Sequence, residues 1–63
     1  MTQCQSITSI MKWAGVREVS YVGGDSSLPY VFKDGLYHYF KRNESGEYSL
    51  VMTSLRDVAD DIS

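Results

Sequence analysis

Ile7, Ile10, Met11 and Ala14 stand at i, i+3, i+4 and i+7, which lays one apolar stripe along a helix surface. Ser6 ahead of the stripe is a good N-cap, and Gly15 behind it suits the left-handed position that ends many helices. The spacing predicts a helix over 6–14, with Trp13 at the stripe's edge and Lys12 opposite. A helix this short needs tertiary packing to persist.

The pattern then turns to strand formers. Val19, Tyr21 and Val22 mark a strand over 16–22, and the Gly23-Gly24-Asp25-Ser26-Ser27 run marks a loop. A second strand is expected over 28–33, with Pro29 at its entry. Asp34-Gly35 is a two-residue hairpin signal, because a type I′ turn needs positive φ at both central positions. A third strand follows over 36–42, a turn over 43–46 and a fourth strand over 47–52. Leu55, Val58, Ala59 and Ile62 repeat the helical spacing, with Ser54 as N-cap and Asp57 three residues on. Asp60 and Asp61 sit near the negative end of that helix dipole, so helix stability does not explain them.

The reading is one α+β domain over 1–63, in the order α-β-β-β-β-α. Its sheet is an antiparallel meander of three or four strands, with both helices on one face. That order is similar to the double-stranded RNA-binding domain. The basic run which that family places at the start of its last helix has no counterpart in Ser54-Leu55-Arg56-Asp57-Val58. The likeness is topological, and the family's function is not carried over.

The Asp34-Gly35 turn sets a register: Lys33 opposite Leu36, Phe32 opposite Tyr37, Val31 opposite His38 and Tyr30 opposite Tyr39. One face then carries Tyr30, Phe32, Tyr37, Tyr39 and Lys41, and the other Val31, Lys33, Leu36, His38, Phe40 and Arg42. A four-residue second turn sets Arg42 opposite Glu47, Lys41 opposite Tyr48, Tyr39 opposite Leu50 and Tyr37 opposite Met52. The tyrosine face becomes the core, and Val31, Leu36, His38, Phe40 and Val51 stay in water. A five-residue turn shifts the pairing by one and leaves the tyrosines outside. In both cases one face keeps apolar groups in water, and a small protein seldom does that without a partner. The alternative is a sheet covered on both faces, one helix on each side.

Size and charge narrow the work such a surface does. The chain has 63 residues, and a domain of that length buries only about 60% of its unfolded surface. Deep substrate clefts are hard to build on that scale. One cysteine, Cys4, and one histidine, His38, cannot form a disulfide or a usual structural zinc set. A reducing, cytoplasmic setting is the simplest expectation. No stretch reads as a leader or a membrane span. The net charge of −2 argues against nucleic acid, which usually draws a basic excess.

His38 has Ser49 within reach across the expected strand pair but no third catalytic group. Asp57, Asp60 and Asp61 read as a solvated helix face rather than a cation site. The glycine-rich loop lacks the lysine and the following helix of a phosphate loop.

No enzyme and no cofactor are therefore expected. The expected function is stoichiometric binding of a larger protein, as an inhibitor, adaptor or regulator. Chains of this kind are frequent among phage and mobile-element accessory factors, a matter of frequency rather than of these residues. The candidate contacts are Tyr37, His38, Tyr39, Phe40 and Arg42 on the hairpin, with Asp60 and Asp61 on the tail. Two other readings use the same elements. Lys33, Lys41 and Arg42 beside tyrosines could hold a nucleic acid, or the sheet could pair with a second copy as a homodimer.

Overall fold

The computed structural model describes residues 4–62, and only the backbone of residues 60 and 62. Helix α1 spans Ile7–Ala14. The Ser6 hydroxyl accepts from the Ser9 N–H at 3.1 Å. At the other end Gly15 takes φ 70°, its N–H donates to Lys12 O, and the Val16 N–H donates to Met11 O. This pair of bonds closes the last carbonyls in a Schellman motif.

Strands β1 (Ser20–Tyr21), β2 (Pro29–Lys33), β3 (Leu36–Arg42) and β4 (Tyr48–Ser54) form one antiparallel sheet in chain order. The architecture is a small α+β domain, a four-stranded antiparallel sheet with one helix of ordinary length. The first strand is far shorter than the spacing predicts. Val16 is tied into the α1 cap, and Val16 and Val19 pack against the cluster of Ile10, Val31 and Phe40. The segment between them is drawn towards the helix instead of along β2. A 3₁₀ turn over Val22–Gly24 follows.

The β2–β3 hairpin has the expected register, Lys33 opposite Leu36 through Tyr30 opposite Tyr39. Asp34 (φ 52°) and Gly35 (φ 81°) both occupy the left-handed region, as a type I′ turn requires. The second turn departs from the four-residue reading. The Asn43 side-chain oxygen accepts from the N–H groups of Ser45 (2.9 Å) and Glu47 (3.0 Å), and the Asn43 N–H donates to Glu47 O at 2.7 Å. Glu47 is thereby drawn into the turn, and Arg42 faces Tyr48. Gly46 closes the turn at φ 83°, with open space where a Cβ would stand. Gly46→Ala therefore meets no clash and carries only the left-handed backbone penalty, about 1–2 kcal/mol. Thermal melting should show that loss, and a neutral result would mean the turn relaxes.

Beyond Phe40, which faces Leu50, a β-bulge resets the register, so that Tyr39 faces Met52 and His38 faces Thr53. Val51 is the extra residue on β4.

These two offsets decide which face is covered. Ile10 packs on Val31 and Phe40, supported by Ile7, Ala14, Val16, Val19 and Tyr48. Helix α1 therefore covers the face that a four-residue turn would leave open, and the pairing next to the turn is that of the five-residue alternative. The tyrosine face has a cover of its own. The chain after β4 crosses it, and α2 (Ala59–Ile62), a single turn, packs against the 3₁₀ turn. The expected second helix shrinks: β4 runs on through Ser54, residues 55–58 are irregular, and the Val58 N–H goes to the Tyr39 hydroxyl. Asp57 then takes over the capping, its carboxylate accepting from the Ala59 N–H at 2.9 Å. Helix α1 thus covers one face, while Tyr39 on the other is covered by the irregular chain at Asp57 and Val58. At the far edge Gln5 and Tyr48 exchange both backbone bonds, at 2.8 and 2.7 Å. No helix among the described residues is long and apolar enough to cross a membrane.

Candidate interaction surfaces

Alternation along β3 divides the hairpin residues between two environments. Tyr37 and Tyr39 point to the face crossed by the C-terminal chain, while His38, Phe40 and Arg42 point to the α1 face. The five residues expected to act together therefore cannot share one surface.

On the tyrosine face the rings form a ladder. Phe32 and Tyr37 lie 4.7 Å apart between centroids, Tyr30 and Tyr37 6.5 Å, and Tyr30 stacks on Tyr39 at 5.0 Å and 25°. These separations suit offset and tilted aromatic pairs. Exposure falls along the ladder, from 53% at Phe32 through half-buried Tyr37 and Tyr30 to 1% at Tyr39. Tyr39 is interior because its hydroxyl anchors the C-terminal chain. It accepts from the Val58 N–H at 2.8 Å and donates to the Asp57 carboxylate at 3.2 Å. Burial pushes the Tyr39 phenol above its ordinary value, and the neighbouring Asp57 adds to the shift.

Beside the open end of the ladder lies a groove of ≈ 330 Å³, lined by Val16, Glu18, Ser20, Tyr30, Phe32 and Tyr37. It exists because β1 stops short. Ser27 O accepts from Arg42 N, and Leu28 O from Val22 N, so odd-numbered β2 residues bond to β3 and even-numbered ones bond outward. Tyr30 meets Ser20 on that outer side, whereas among the described residues no strand residue faces the outward N–H and C=O of Phe32.

On the α1 face His38 is half-buried, with Trp13 edge-on at 4.9 Å and its Nε2 3.2 Å from Lys33 O. The Lys33 ammonium lies 4.7 Å from the centre of the Trp13 ring and pairs with Asp34. Thr53 rather than Ser49 stands opposite His38. Phe40 is buried in the core and offers nothing to a partner. Arg42 is exposed, as is Asp61, while the Asp60 side chain lies outside the described residues. The Asp25 carboxylate is held below its ordinary range by the Ser27 N–H and hydroxyl, with Arg42 nearby as a smaller influence. Exposed Cys4 accepts from the Asn43 amide at 3.3 Å. Among the described residues no group of three His, Cys, Asp or Glu side chains could hold a metal ion.

A second surface was not among the expected contacts. Leu50 and Val51 on β4 are 53% and 55% exposed, Met52 is also exposed, and Leu55 just beyond reaches 84%. The signal was present in the sequence: the last strand of a meander is an edge strand, and 48–55 contains no charged residue. Comparison with known proteins gives no match among family models, characterised proteins or solved structures.

Proposed function

We infer that the chain acts by stoichiometric binding of a larger protein, as an inhibitor or regulator, through the open end of its aromatic ladder. The observation that carries this reading is Phe32, a large ring 53% exposed on a regular strand, backed by Tyr37 at 4.7 Å and flanked by the groove. Aromatic side chains held on a rigid strand give large contact area at little entropic cost, which is why they dominate binding hot spots. Tyr37 alone of the expected hairpin contacts belongs to this surface. Tyr30 and Phe32 join it.

The test is a Phe32→Ala, Tyr37→Ala double variant compared with the parent in affinity capture from nuclease-treated lysate. A single stoichiometric protein, held by the parent and weakened at least ~tenfold in the variant, is expected if the pair forms a hot spot. Melting curves of both chains separate lost binding from lost folding. Capture of nucleic acid alone, or equal capture by both chains, would overturn the reading.

A further inference from the structure

We propose that β4 pairs along its outer edge, beyond Tyr48, with β4 of a second copy of this chain, joining two four-stranded sheets across a twofold axis. The inference stands on a surface separate from the aromatic ladder and needs no other partner.

Three observations lead to it. The first is backbone valence. His38 bonds to Val31 on β2, so it leaves Thr53 unbonded on its other side, and the same alternation turns Leu50 outward. Among the described residues only Gln5, opposite Tyr48, meets this edge. The outward N–H and C=O groups of Leu50 and Thr53 therefore face away from the sheet, ready for another strand.

The second observation is side-chain character. Leu50, Val51, Met52 and Leu55 are all exposed around that edge. Edge strands are protected by charge, brevity, cover or a bulge. This one has the Val51 bulge between Leu50 and Thr53 but no charge over 48–55.

The third observation selects the occupant. An antiparallel strand is its own complement about a twofold, provided like charges do not meet. With no charge over 48–55, every register of self-pairing meets that condition in a chain whose net charge is −2. The core is also thin. Among the described residues the buried apolar ones are Ile10, Val22, Pro29, Val31, Tyr39 and Phe40, and a core of this size supplies only about 3–5 kcal/mol. A second copy, present at the same concentration as the first, adds stability by mass action.

The experiment is sedimentation of the purified chain from micromolar to millimolar concentration, with amide hydrogen exchange at both ends of the range. The apparent mass should double, and the Leu50 and Thr53 amides should become protected together with it. Leu50→Lys places a charge from each copy on the shared edge and should weaken association at least ~tenfold. Its far-UV dichroism at micromolar concentration shows whether the fold is kept. The exchange data on the unaltered chain stand independently if it is not. A constant monomer mass would overturn the proposal and leave the edge to a different protein or to residues 1–3. A dimer whose Leu50 and Thr53 amides exchange freely would overturn it too, by placing the contact elsewhere.

Discussion

Ile10→Ala is expected to leave the chain largely unfolded at room temperature. Ile10 is fully buried where α1 meets Val31 and Phe40. Removing its outer carbons loses their transfer energy and opens a cavity, together about 2–5 kcal/mol. The whole fold has only about 3–5 kcal/mol to lose. Urea titration followed by circular dichroism should show a cooperative transition for the parent and little native baseline for the variant. Ile10→Val, costing about 0.5–1.5 kcal/mol, should keep the transition at a lower midpoint. If Ile10→Ala stayed within about 1 kcal/mol of the parent, α1 would not be the lid of the core. The effect should also be weaker at high concentration if copies associate, so both chains belong at micromolar concentration.

Tyr39→Phe should cost about 1–3 kcal/mol although it deletes one oxygen, because it strips a part-buried N–H of its acceptor. The hydroxyl takes the Val58 N–H and reaches Asp57, and these bonds hold the C-terminal chain on the sheet. At about 4–8 °C per kcal/mol for a domain this small, the melting point should fall visibly. The Val58 and Ala59 amides should lose exchange protection before the sheet does, which a uniform loss of core packing would not produce.

The same residue gives a pH signature. Burial raises the Tyr39 phenol above its ordinary value of 10.0, so the folded chain holds that proton more tightly than the unfolded one. This contribution is complete below pH 10.0 and is lost as pH rises through the folded-state value. The parent should weaken more steeply than Tyr39→Phe in alkaline solution, and parallel curves would count against the buried phenol.

The parts of the fold legible in the sequence are those with a single local solution. Asp34-Gly35 permits one hairpin turn, so the β2–β3 register follows from two residues. Helix α1 carries its start and stop in Ser6 and Gly15. The second turn has no such uniqueness. Its length depends on the Asn43 side chain, which bonds to Ser45 and Glu47 in three dimensions, and no spacing rule shows that. One added residue there selects the alternative in which the Val31 and Phe40 face is the core, and the shift at Val51 further on follows from no turn rule. The C-terminal helix differs for a related reason: Leu55 and Val58 fit a helical stripe, but residues 55–58 are irregular, with the Val58 N–H held by the Tyr39 hydroxyl across the sheet, and only Ala59–Ile62 are helical. The candidate site suffered most from this. Tyr37, His38, Tyr39 and Phe40 are neighbours in sequence, yet alternation sends Tyr39 and Phe40 into two different interiors.

The two residues of β1 have a consequence for how far assembly can run. A sheet with two long bare edges adds strands without limit and becomes a fibre. This sheet has one long edge and one that ends after Ser20–Tyr21, where the chain veers towards α1. Two copies joined at β4 would present only the two-residue β1 and the Phe32 backbone beside it to a third. The assembly would then close at two, with its solubility guarded by the brevity of one strand rather than by charge on the other.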